Sequence, residues 1–167
     1  DRWNLKIIKV ESHEVKSYTP IGMAYVMMRN ASFEGKDISL SYKYGCVNTR
    51  DSFVVECEKD SSACIVDFPG LSLLETRLFI QDCLDMGNLS YMDGGTNTTA
   101  INPGRLGDPV INYVHFPAHM YQTLHTHPSH RVGLVIRGNG KIELDNKEYY
   151  DINEGEIFFM RRNCLHN

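Results

Sequence analysis

The chain has 167 residues and a mass of 19.1 kDa, enough for one compact domain or one domain with a sizeable extension. Apolar residues make up 42% and charged residues 23%, which excludes a disordered tail or a fibre; 17 Lys+Arg against 21 Asp+Glu give a net charge of -4, without the basic excess that a nucleic-acid binder needs. No apolar run approaches the roughly 18 to 20 residues of a membrane span, and the opening DRWNLKIIKVESHE lacks signal-peptide order, so a cytoplasmic protein with no membrane and no nucleic-acid partner is expected.

Short apolar or alternating runs separated by turn chemistry fill the first part of the chain: LKIIKV at 5–10, GMAYVMM at 22–28, DISLSY at 37–42, SFVVEC at 52–57 and ACIVDF at 63–68. These predict strands. In GLSLLETRLFIQDCLDMG, Ser72 and Glu75 have capping-box spacing. Leu71, Leu74 and Leu78 line one face there, with Leu73, Ile80 and Leu84 on the adjoining one. The pattern predicts a helix over about 73–85, closed by Gly87 and wide enough in its apolar arc to pack on a sheet and on a second subunit. Residues 87–109 are rich in Gly, Asn, Thr and Pro and read as a long loop. From 110 onward strands are predicted at VINYVHF, MYQTLHTH, RVGLVIRG, KIELDN, KEYYDI and EIFFM, with turns at Gly138-Asn139-Gly140 and Asp145-Asn146. Such close spacing of short strands indicates a sandwich or barrel. Five cysteines, Cys46, Cys57, Cys64, Cys83 and Cys164, show no CxxC spacing and are expected as buried free thiols.

The chemistry concentrates in Leu124-His125-Thr126-His127-Pro128-Ser129-His130, with His166 following 39 residues after His127. On a strand, residues two apart face the same way about 6 to 7 Å apart, so His125 and His127 are suited to grip one ion. His166 on a neighbouring strand would complete a triad of neutral imidazoles, good ligands for Fe, Zn, Cu, Ni or Mn. Ser129 lies near two histidines but lacks the strained elbow of a nucleophile, and the glycines at 94–95 and 104–107 lack the setting of a phosphate cradle.

Residues 117–140 and 155–166 resemble the two motifs of the cupin superfamily: HxH, a strand ending in a glycine turn, and then a glycine followed eleven positions later by a histidine, as Gly155 is by His166. The resemblance covers about 110–167. It implies a mainly β protein, a jelly-roll β-barrel with one helix and an N-terminal β extension, in which His125, His127 and His166 are the metal ligands. Two positions depart from the pattern. Arg131 stands where the family usually has a glutamate ligand, and His119 stands where a glycine is usual. Three histidines carry no ligand charge, so the ion keeps its full charge and favours small anionic, chelating substrates.

An all-histidine set is similar to that of cupin non-haem iron dioxygenases, which implies Fe(II) and oxygenase chemistry on a small-molecule substrate. A redox-neutral isomerase, epimerase or lyase using Zn, Mn or Ni is the first alternative, and a non-catalytic binding or sensor barrel the second. Arg131 and Tyr121 are the candidate catalytic residues. The arginine either holds a substrate carboxylate in two parallel hydrogen bonds or sits on the barrel rim. Tyr121 lies with Tyr113, His115 and Gln122 on segments leading into the site, where alternation makes some of them line a cavity. His130 follows a Pro-Ser turn and is a turn residue or a fourth ligand.

The expected organisation is an N-terminal β-rich extension over 1–70 packing on the barrel, a helix and long loop over 71–108, and the cupin core over 109–167. The core is expected to be truncated after its last histidine, since such barrels normally continue, and a homodimer is expected. The first half has no HxH and no matching glycine spacing, so it is not a second metal-binding cupin.

Overall fold

The computed structural model describes residues 4–72, 75–81 and 86–167. The chain forms two compact units, one of Asp1–Leu84 with Thr99–Asn112, the other of Asp85–Thr98 with Tyr113–Asn167.

In the first unit the strands are β1 (Lys6–Val10), β2 (Glu14–Tyr18), β3 (Met23–Glu34), β4 (Ser39–Ser41), β5 (Tyr44–Thr49), β6 (Phe53–Phe68) and β7 (Arg77–Gln81). They form one sheet in the order β1-β6-β3-β5-β7, with β2 pairing β6 and β4 pairing β3. Each predicted run contributes to a strand, but those at 52–57 and 63–68 are the two ends of one 16-residue strand. Both long strands serve two partners in turn. The first end of β6 pairs β2 and its last residues pair β1, while β3 pairs β5 and then β4. The β3–β6 register shifts between Arg29 and Ala31, where Asn30 and Asp60 take positive φ and Asn30 Nδ2 donates to the Asp60 carbonyl.

Side-chain alternation explains why β3 reads as a continuous apolar run. Ala24, Val26 and Met28 enter one buried cluster with Val10, Val47, Val55 and Ile65, while Met23 and Tyr25 enter a second with Cys46, Leu71 and Ile101. Both faces of the strand are buried, so no polar face interrupts the pattern. Cys46, Cys57 and Cys64 are buried free thiols, as expected, and burial pushes Cys46 and Cys64 up to about 12, where they stay protonated and inert. Cys164 is half-buried, and Cys83 lies outside the described residues.

The helix expected over 73–85 is corrected. In its described part the chain is the strand β7, with Arg77 opposite Asn48 and Gln81 opposite Tyr44 on β5; positions 73–74 and 82–85 lie outside the described residues. The reason is tertiary. Buried Asn48 accepts from the Arg77 backbone N–H through Oδ1 at 2.6 Å, and Glu75, read as a capping residue, instead pairs with the Arg77 guanidinium at 2.8 Å. The backbone groups of β5 find their partner in this segment, which outweighs a helical period worth tenths of a kcal/mol per residue.

Asp67 anchors the β2–β3 connection. It is fully buried at 0% exposure and accepts from the Tyr18 hydroxyl at 2.9 Å, from Ile21 N–H at 2.7 Å and from Gly22 N–H at 3.2 Å. Gly22 is required there, since a Cβ would fall 2.1 Å from the Phe68 carbonyl oxygen.

The second unit contains β8 (Leu89–Ser90), a 3-10 turn at Met92–Gly94, parts of β9 (Thr96–Ile101) and β10 (Ile111–His115), then β11 (Arg131–Leu134), β12 (Asn139–Glu143), β13 (Tyr149–Asn153) and β14 (Ile157–Met160). The sheet orders are β10-β9-β8, β11-β14 and β12-β13. The predicted loop at 87–109 therefore carries two strands. Its run TNTTAI pairs by backbone and lacks the apolar alternation that would announce it. Conversely, MYQTLHTH is not a strand, and within it only His125 makes an isolated bridge. Among the described residues no helix is long and apolar enough to cross a membrane.

Replacing Asp67 with Ala leaves the buried Tyr18 hydroxyl and the backbone N–H groups of Ile21 and Gly22 without their acceptor. The expected loss is about 2 to 4 kcal/mol of folding stability, checked by urea denaturation of the Asp67→Ala variant.

Candidate metal centre

His125 and His166 are brought together by register. β11 pairs β14 antiparallel with Arg131 opposite Met160 and Leu134 opposite Ile157. Beyond Arg131 and Met160 both chains leave regular strand geometry, yet the same register returns at an isolated bridge between His125 and His166. There the two residues exchange both backbone hydrogen bonds, His125 N–H to His166 O at 2.8 Å and His166 N–H to His125 O at 3.0 Å. Directly opposed residues of an antiparallel pair present side chains to the same face, and the two rings lie 4.5 Å apart between centroids.

Further ties hold the two segments. Asn163 N–H donates to His127 O at 2.7 Å, and Arg162 N–H donates to His130 Nδ1 at 3.2 Å. Leu144 also bridges His166, and Asn167 exchanges hydrogen bonds with the Glu143 backbone. At Gly133 the β11 backbone is covered by the Phe158 ring, whose Cζ would lie 2.2 Å from an added Cβ. A side chain at position 133 would have to displace that ring.

His127 completes the group, its ring 4.8 Å from that of His125 and 5.2 Å from that of His166. One ring nitrogen from each of the three lies within 4.8 Å of the others, and His166 is buried. Two of the rings are oriented by the same local device, a hydrogen bond to the carbonyl two residues upstream. His125 Nδ1 lies 2.8 Å from Thr123 O, and His166 Nδ1 lies 2.8 Å from Cys164 O. A carbonyl accepts only, so each Nδ1 carries the proton and each Nε2 keeps its lone pair for a ligand. Sequence reading missed the roles of Thr123 and Cys164, since carbonyls carry no residue signature.

The electrostatics suit a metal. Burial, then the positive charge of Arg131 and the other two rings, push His127 down to about 4, so the imidazole is neutral and able to coordinate near pH 7. His166 is also lowered, first by burial. The donor set therefore fits a divalent ion: neutral nitrogens, converging, with two tautomers fixed, and no carboxylate in the group among the described residues. It leaves coordination positions for an exogenous ligand, unlike a structural zinc site.

Of the other predicted residues, Arg131 opens β11 at half-buried depth, and its charge acts on two of the three histidines. Tyr121 is 68% exposed, and its hydroxyl donates to Glu143 Oε2 at 2.9 Å. Asn167 Nδ2 donates to the same carboxylate oxygen at 3.0 Å, and these bonds, that of Tyr121 foremost, hold the Glu143 carboxyl below the usual range. His130 stands apart from the cluster, its Nδ1 engaged by Arg162 and its ring stacked on Phe159.

The profile of the AraC-like ligand binding domain family matches residues 107–167. No curated protein matches the chain. Three solved structures share the fold. A cupin 2 conserved barrel domain protein from Leptotrichia buccalis is 14% identical with a TM-score of 0.59, over 97% of this chain and 74% of that one. A protein of unknown function of the DUF861 family from Pseudomonas syringae pv. tomato is 13% identical at 0.56, over 99% and 77%. An IolB-like protein from Salmonella typhimurium is 11% identical at 0.53, over 97% and 76%. The chain has the fold of the cupin superfamily, and its histidine cluster lies within the segment matched by the ligand-binding profile.

The depressed proton affinity makes the metal-free protein sensitive to acid. In the unfolded chain His127 takes up a proton near its ordinary value of 6.5, but in the folded chain only near about 4. Between those values the unfolded state binds more protons, so the stability contribution is complete above about pH 6.5 and is lost as pH falls toward 4. The midpoint of thermal unfolding of metal-free protein is expected to drop across that window, and less steeply in His127→Asn.

Proposed function

We propose that this chain is a metal-dependent cupin that takes a small anionic, chelating ligand at a His125, His127 and His166 centre, with Fe(II)-dependent oxygenase chemistry as its activity. The observation that carries the reading is the convergence of three imidazoles, two with Nδ1 tied to a backbone carbonyl, in a group that among the described residues holds no carboxylate. A bound Fe(II) would supply a site at which a chelating substrate and O₂ react side by side. The protein's own part is positional. His125 and His166 present Nε2 from two segments that meet at an isolated antiparallel bridge, and His127 stays neutral because burial and Arg131 disfavour its proton. The same Arg131 guanidinium compensates the charge of a substrate carboxylate and orients it by paired hydrogen bonds. Tyr121 is assigned no step, because its hydroxyl is committed to Glu143.

A second reading is favoured by the match to the AraC-like ligand binding domain: a barrel that binds its small molecule without turning it over. Redox-neutral chemistry on Zn, Mn or Ni is the third outcome. The deciding experiment is elemental analysis of protein purified without added metal, then anaerobic Fe(II) reconstitution and O₂ consumption with panels of thiols, β-diketones and hydroxy acids. Oxygen uptake dependent on substrate supports the oxygenase, and binding without uptake or turnover supports the ligand-binding barrel.

Two variants probe the residues. His127→Ala should abolish stoichiometric metal while leaving the far-ultraviolet circular dichroism unchanged; full metal occupancy in that variant would overturn the proposed centre. Arg131→Met should keep the metal and weaken a carboxylate ligand by about tenfold or more, the worth of one charge-assisted hydrogen bond, as read by calorimetry.

A further inference from the structure

The mutual backbone bonds of His125 and His166 fix how far apart the two residues lie, but not how each ring is turned about its own side-chain bonds. The His125 ring is turned by the Thr123 carbonyl, and the chain from 116 to 124 belongs to no strand, so no ladder holds that carbonyl in place. Side-chain bonds hold it instead. On one side Asp93 Oδ2 accepts from Thr123 N–H at 2.7 Å. On the other, Tyr121, two residues before Thr123, donates its hydroxyl to Glu143 Oε2 at 2.9 Å. The same oxygen accepts from Asn167 Nδ2 at 3.0 Å, and Asn167 follows His166 directly. Asn167 N–H also donates to Glu143 O at 3.1 Å, and Glu143 N–H donates to Asn167 Oδ1 at 3.2 Å. One carboxylate oxygen thus grips both the segment that leads into His125 and the residue that follows His166. Successive residues of an extended chain point to opposite faces, so Asn167 and this carboxylate lie behind the His166 ring rather than in front of it.

We propose that Glu143 is a positioning residue of the metal centre: through Tyr121 and Asn167 it holds the His125 and His166 segments in the arrangement in which both Nε2 atoms reach the same divalent ion. This rests on the metal-site reading above and adds to it a residue that supplies no ligand. Without the Tyr121 bond the Thr123 carbonyl is free to move away from His125 Nδ1. The imidazole then gains other rotamers and the second tautomer, in which Nδ1 rather than Nε2 keeps the lone pair. Outer residues that orient metal-binding histidines are worth about 10- to 100-fold in metal affinity. Both donors meet one oxygen of Glu143, and an amide oxygen at that place accepts from both. The role therefore depends on a hydrogen-bond acceptor and not on the negative charge.

The test titrates divalent cobalt, whose visible absorption reports the geometry of its ligands, into the metal-free parent and the variants Tyr121→Phe, Glu143→Leu, Glu143→Gln and Tyr121→Phe with Glu143→Leu. Tyr121 is 68% exposed, so removal of its hydroxyl leaves the fold in place. Tyr121→Phe should weaken cobalt binding by about tenfold and shift the absorption, Glu143→Leu should weaken it by about tenfold or more, and Glu143→Gln should stay within about threefold of the parent. The double variant should bind no more weakly than Glu143→Leu, since the two residues act through one bond. Parent-like affinity and absorption in Tyr121→Phe, a Gln variant as weak as the Leu variant, or additive losses in the double variant would each overturn the positioning role. Should Glu143→Leu not fold, Tyr121→Phe and Glu143→Gln decide the matter. Failure of the metal reading looks different: the parent itself binds no cobalt. Long-range nitrogen–proton NMR of the metal-free protein then reads the device alone. His125 held as the Nδ1–H tautomer in the parent and exchanging between tautomers in Tyr121→Phe sustains the inference, and an unchanged His125 signal in that variant overturns it.

Discussion

The antiparallel register between β11 and β14 is the constraint on which the site depends. It is set over four residue pairs from Arg131–Met160 to Leu134–Ile157, and it reappears at His125 and His166 after both chains have left regular strand geometry. A slip of one residue would send one of the two imidazoles to the opposite face. Gly133 protects against that slip, since its missing side chain is where the Phe158 ring lies. Reciprocal backbone hydrogen bonds at the histidine pair then fix the separation of the two rings to that of directly opposed residues.

Electrostatics follow from this geometry. Burial first, and then the guanidinium of Arg131 and the neighbouring rings, disfavour protonation of His127, and burial likewise lowers His166. The cost is a loss of acid stability in the metal-free chain, and the return is a set of lone pairs ready for a cation. Arg131 stands beside the cluster, and among the described residues no carboxylate belongs to the group.

The two units differ in how their strands are buried. Strands β3, β5 and β6 contribute residues to apolar clusters and are largely buried, whereas β11 to β14 are half-buried or exposed along their lengths. The first unit contains most of the apolar core, and the second carries the cluster of His125, His127 and His166.

The residues by themselves determined the β class and the metal-site candidates. Alternating and continuous apolar runs report strand burial directly, and an HxH followed by a spaced glycine and histidine is a local spacing that survives any detail of packing. Other features depended on partners distant in sequence. RLFIQ has the composition of a helix and the capping spacing before it, yet it is a strand because the edge of β5, some thirty residues earlier, has backbone groups to satisfy. TNTTAI carries no apolar period and is a strand for the same reason. The tautomers of His125 and His166 rest on carbonyl oxygens, which every residue possesses and no sequence pattern marks. Side-chain chemistry is written in the sequence, whereas hydrogen-bond pairing and desolvation are collective quantities that exist only once the chain has folded.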